Sequence, residues 1–90
     1  MVDHNRKPLL MLRALKSKFE AIRDENITIA LTYIEHGVGV GEHPTLVSDA
    51  ADAIKRAAEA EECLRFMQSN KFQSVLSATT DIGKFFNDWD

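Results

Sequence analysis

Two long stretches of helical periodicity separated by one tight cluster of helix breakers leave a chain few folds to choose from. Here the breakers are His36-Gly37-Val38-Gly39-Val40-Gly41-Glu42-His43-Pro44. Alternating glycines weaken any helix, and proline is tolerated only where a new one begins. Gly37 is placed to take a left-handed conformation just past the first helix, and Pro44 suits the first turn of the second. The expected result is an all-α antiparallel hairpin, with helices over about residues 8–36 and 44–69.

The first helix opens at Pro8 and keeps its apolar residues three or four apart, at Leu12, Leu15, Phe19, Ile22, Ile29 and Tyr33. Asn26 falls within that stripe, where a polar residue either fixes register or lies partly exposed near a helix end, the second being the plainer reading. The run Ile27-Thr28-Ile29-Ala30-Leu31-Thr32-Tyr33-Ile34 is rich in β-branched residues and also suits a strand. A strand would find only the short, polar Phe72-Gln73-Ser74-Val75-Leu76 to pair with, so helix is the expectation. Ile27, Leu31 and Ile34 then widen the apolar surface beyond one seam and are candidate partner-binding residues.

In the second helix, Leu46, Ala50, Ala53, Ala57, Ala60, Leu64 and Met67 repeat with 4-3 spacing, flanked by Val47, Ala51, Ile54 and Ala58. A seam made mostly of alanine admits a partner helix closely, with the larger side chains of the first helix lying over the small ones. Residues 1–69 are thus read as a hairpin domain. Ser74, Ser77, Thr79 and Thr80 lower helical commitment, and residues 70–80 are read as a connector. A final amphipathic helix over about 81–89 sets Ile82, Phe85, Phe86 and Trp89 at i, i+3, i+4 and i+7, the pattern of a helix that docks into a partner's groove or packs on its own hairpin as a third helix, with docking on a partner preferred.

Composition narrows the function classes. Ninety residues, 44% of them hydrophobic and 28% charged, make one small domain with little room for a deep pocket, so self-association or a docking partner is expected. No apolar run approaches a membrane span, the start lacks the apolar core of a signal peptide, and the single Cys63 has no intramolecular disulfide partner. A cytoplasmic, non-membrane protein is expected. The net charge of −3 hides a polarity: residues 1–23 hold Arg6, Lys7, Arg13, Lys16, Lys18 and Arg23 against Asp3 and Glu20, while the acidic side chains lie mostly beyond. Arg6, Arg13, Lys16, Lys18 and Arg23 could meet nucleic acid, but folding the hairpin sets them beside Glu59, Glu61 and Glu62, and that pairing is preferred.

Nothing here forms a catalytic constellation. The glycine spacing lacks the third glycine of a dinucleotide fingerprint and follows a helix rather than a strand. His36, Glu42 and His43 could in principle ligate a metal, yet no structural-zinc spacing is met. Cys63 has no identifiable base and reads as a small buried hydrophobe. No enzyme activity, cofactor or metal is expected.

The loop Val38-Gly39-Val40-Gly41-Glu42-His43-Pro44, with an aromatic and aliphatic helix end before it and an Ala/Glu-rich helix after it, resembles short uncharacterised helical-hairpin proteins of tailed bacteriophages over about residues 29–66. The resemblance implies a phage-type accessory or virion-associated protein, in the host cytoplasm or the virion. Its partners would be a host protein or a virion component.

Overall fold

The computed structural model describes residues 6–37 and 44–79, and within them every residue but Ser69 is helical. Helix α1 runs Arg6–Gly37, α2 runs Pro44–Gln68 and α3 runs Asn70–Thr79. Helix α1 is 32 residues long, roughly 48 Å at 1.5 Å per residue. It continues through the ambiguous Ile27–Ile34 run, where the Thr28 and Thr32 hydroxyls donate to the carbonyls of Asp24 and Thr28 at 2.9 Å each. Each threonine turns its polar atom back onto its own helix, which lets a β-branched residue sit there.

Helices α1 and α2 form the expected antiparallel hairpin. Leu12 packs on Met67 near the chain ends, Arg56 reaches Asn26 midway, and Gly37 lies beside Leu46 at the reversal. Ala53, Ala57, Ala60, Leu64 and Met67 are buried along α2, and Ala30 and Leu12 along α1. The alanine-rich seam is therefore the contact face of α2, as its spacing predicts. Asn26 is buried at 5% exposure. Its Nδ2 donates to the Ile22 carbonyl at 2.8 Å, and its Oδ1 accepts from Arg56 Nε at 3.0 Å. A buried amide that accepts a charged donor from the facing helix penalises any slip between the two, which is a register role.

Two expectations are corrected. Gly37 does not cap α1 from outside in a left-handed conformation; it is the last residue of the helix, its backbone lies outside that region, and Leu46 Cδ1 passes 3.9 Å from where a Cβ would stand. Ordinary van der Waals contact there means that close approach does not require glycine. The larger difference is at 70–80, where a helix replaces the expected connector. Ser69 interrupts α2 and caps α3: its Oγ accepts the Phe72 amide at 3.2 Å, and its carbonyl accepts the Gln73 amide at 3.0 Å. The Gln73 side chain in turn donates to the Gln68 carbonyl at 2.9 Å, satisfying a carbonyl at the end of α2. Phe72 and Leu76, one turn apart, pack with Leu15 and Phe19 on the Leu12–Met67 cluster. Tertiary anchoring of one face overrides the weak propensity of the serines.

Because one hydroxyl supports the start of α3, Ser69→Ala is expected to cost about 0.5–2 kcal/mol. The loss should be local. Amide exchange by NMR should show faster exchange through 70–79 with α1 and α2 unchanged; equal loss of protection everywhere would contradict independent capping of α3.

The molecule is long and thin, 61 × 26 × 18 Å, with a radius of gyration of 18.1 Å where a compact chain of this length has roughly 12 Å. It exposes 6868 Å², against roughly 5,300 Å² for a compact monomer of its mass. Two helices in one layer cannot enclose a core. Among the described residues the buried apolar set is four alanines with Leu12, Leu64 and Met67, while nine larger apolar side chains stand exposed. The expected helix over 81–89 lies outside the described residues.

Candidate functional site

The exposed apolar residues are not scattered. Ile27, Leu31 and Ile34 follow i, i+4, i+7 spacing and form a stripe on α1, and Val47 and Ile54 form a shorter one on α2. Relative to the core-facing direction, the α1 stripe is turned by about 80° and the α2 stripe by about 110°, in the same sense of helical rotation. Since the helices are antiparallel, the same sense leads to the same side of the hairpin. The register that sets Asn26 near Arg56 and Gly37 beside Leu46 brings Ile34 level with Val47 and Ile27 level with Ile54. The result is one face near the reversal, with Ile27 44%, Leu31 53%, Ile34 52%, Val47 78% and Ile54 52% exposed. Ala50 is half-buried and Ala51 exposed between them, so this stretch of the face carries no charge.

Sequence reasoning reached the α1 half of this surface and missed the α2 half. Val47 and Ile54 read as flanks of the alanine seam; laying both helical wheels in the hairpin register would have joined them to Ile27, Leu31 and Ile34. A contiguous apolar patch of several hundred Å² is the mark of an interaction surface on a small protein.

A second concavity lies toward the other end. An open groove of about 460 Å³ is lined by Phe19, Glu59, Glu62, Cys63, Phe66 and Met67. Phe66 is exposed and leans on Phe72, with ring centroids 5.4 Å apart and planes tilted by 49°. Its floor is apolar, and the two glutamates supply charge at its rim. Cys63 is half-buried in its wall rather than sealed in the core, a correction to its reading as a buried hydrophobe. Among the described residues the groove lining places no imidazole beside it.

Of the basic residues of α1, Arg13, Lys16 and Arg23 lie within about 80° of one another around the helix and Lys18 points away from them. Arg13 and Lys18 are both exposed but point about 140° apart around the helix. Lys16 pairs with Glu20 at 3.0 Å within α1. Arg23 donates through Nε to Asp24 at 2.9 Å and through Nη1 to Glu61 of α2 at 3.1 Å. Those two hydrogen bonds, the Asp24 one first, hold the Arg23 guanidinium above its already high ordinary pKa, so it stays charged at any working pH. The side chain of Arg6 lies outside the described residues. The expected pairing of the basic stretch with α2 is thus realised at Glu61; Arg65 meets Glu61 and Glu62 within α2 at 3.9 and 3.8 Å.

Ile82, Phe85, Phe86 and Trp89, the candidate docking residues of the tail, lie outside the described residues, as do Glu42 and His43. His36 is exposed at the end of α1. Among the described residues no group of three His, Cys, Asp or Glu side chains is placed to hold a metal ion, and no helix is long and apolar enough to cross a membrane. No family model matches the chain, and no curated protein or solved structure is significantly similar to it.

Proposed function

We propose that this chain is a non-enzymatic protein-interaction module whose docking surface is the Ile27/Leu31/Ile34–Val47/Ile54 face. The observation that carries the reading is the apolar distribution near the reversal: alanines fill the buried seam there, while Ile27, Leu31, Ile34, Val47 and Ile54 stand in water on one side. Keeping that side wet costs roughly 25 cal/mol for each Å² of apolar surface, so a partner that covers it gains the corresponding free energy. The aromatic tail, with Phe85, Phe86 and Trp89, is a second anchor under this proposal, in the i, i+3, i+4, i+7 form that fits a helix-binding groove. The loop likeness favours a phage-type accessory or virion-associated role in the host cytoplasm or the particle.

Affinity capture of the tagged chain, compared with its Leu31→Glu variant and with a chain lacking residues 81–90, tests the reading. Leu31→Glu is expected to deplete the proteins that co-purify, by roughly thirtyfold or more in affinity if Leu31 is a central anchor. A co-purifying set unchanged by both alterations would overturn it.

A further inference from the structure

We propose that the occupant of the Ile27/Leu31/Ile34–Val47/Ile54 face is a second copy of this chain, two hairpins pairing about an axis along their length into a four-helix bundle. This rests on the reading of the face as a docking surface and assigns its partner.

Three observations select a second copy. The first is symmetry. When two hairpins face each other with their reversals at the same end, α1 of each lies on α2 of the other, and every neighbouring pair of helices is antiparallel, as α1 and α2 already are within one chain. Ile27, Leu31 and Ile34 then meet Ile54, Ala50 or Ala51, and Val47 of the second copy at matching levels, apolar against apolar on both sides of the axis.

Charge is the second. The face is uncharged near the reversal and carries both signs farther along, with Arg13, Lys16, Glu20, Arg23 and Asp24 on α1 and Glu61 and Arg65 on α2. The Arg23–Glu61 ion pair, which bridges the two helices, lies on this side. The register that levels Ile34 with Val47 sets Lys16 and Glu20 of one copy opposite the Glu61–Arg65 turn of the second, so both signs stand on each side of the axis and no single-sign field keeps two copies apart. Arg65 reaches its own-helix carboxylates only at 3.8 and 3.9 Å and is 68% exposed, which leaves its guanidinium able to turn toward another chain.

Area is the third. The protein exposes roughly 1,500 Å² more than a compact monomer of its mass, and a standard interface takes about 800 Å² from each partner. Pairing two such hairpins through this face would cover part of that excess.

Light scattering after size exclusion and sedimentation equilibrium of the full chain, from micromolar to millimolar protein, test the proposal. The wild type is expected at twice the chain mass. Leu31→Glu should weaken pairing by roughly thirtyfold or more while circular dichroism shows its helix content retained. Met11→Glu is the matched control, since Met11 is 61% exposed but on the opposite side of the hairpin, and it should pair like the wild type. A wild type that stays monomeric at millimolar concentration overturns the proposal, as does a Leu31→Glu variant that pairs like the wild type. A monomer whose capture of another protein still depends on Leu31 overturns the pairing alone; a monomer whose captures ignore Leu31 overturns the docking reading as well.

Discussion

Replacing Met67 with alanine is expected to lower the unfolding free energy by about 2–5 kcal/mol, a large share of the roughly 5–13 kcal/mol that a 90-residue domain has. Met67 is 4% exposed and joins all three helices, touching the cluster in which Leu12, Leu15 and Phe19 of α1 meet Phe72 and Leu76 of α3. Truncation removes apolar contact and leaves a cavity that three long elements cannot all close. Because α3 has this cluster as its anchor, its amides should lose protection first. Urea denaturation at one fixed protein concentration measures the change, and fixing the concentration keeps any association from entering the comparison. A shift below about 1 kcal/mol would mean that the three helices do not share this core.

Enlarging the seam should destabilise for the opposite reason. Ala53 is fully buried, at 0% exposure, in the seam between α2 and α1. Ala53→Leu adds three carbons with nowhere to go and is expected to cost about 1–3 kcal/mol by forcing the helices apart or the side chain off its rotamer. For a domain of this size that is a fall in melting temperature of about 4–8 °C per kcal/mol. An unchanged or higher melting temperature would show space along the seam that its burial denies. Met67 and Ala53 thus bracket the packing of α2: at one the core is too valuable to empty, at the other too tight to fill.

The hairpin was legible in the sequence because its signals are local and agree. Pro44 and the glycines mark the reversal, and the 4-3 alanine repeat can be read without knowing what it faces. Asn26 was legible as a polar residue in an apolar stripe, although only the structure supplies Arg56 as the cross-helix donor. Helix α3 was not legible. Its serines and threonines argue for a loop, and what holds it is Ser69 as a cap together with a cluster that draws on Leu12, Leu15 and Phe19, more than fifty positions earlier. The binding face was half legible, since Ile27, Leu31 and Ile34 share a helix, whereas Val47 and Ile54 join them only through tertiary register. Arg23 likewise read as one of five similar cations, and only the structure singles it out by its bond to Glu61.

The length of α1 has a consequence for how the molecule can be altered. From Leu12 to Leu31 is about 29 Å along the axis, several times the distance within which neighbouring substitutions interfere and well beyond the reach of screened charge. The two ends are joined by a stiff seam of small residues and share no side chain. The three-helix cluster and the uncharged face near the reversal are therefore thermodynamically separable. Stability can be tuned at Met67 and recognition at Leu31, and the effects of the two changes should sum.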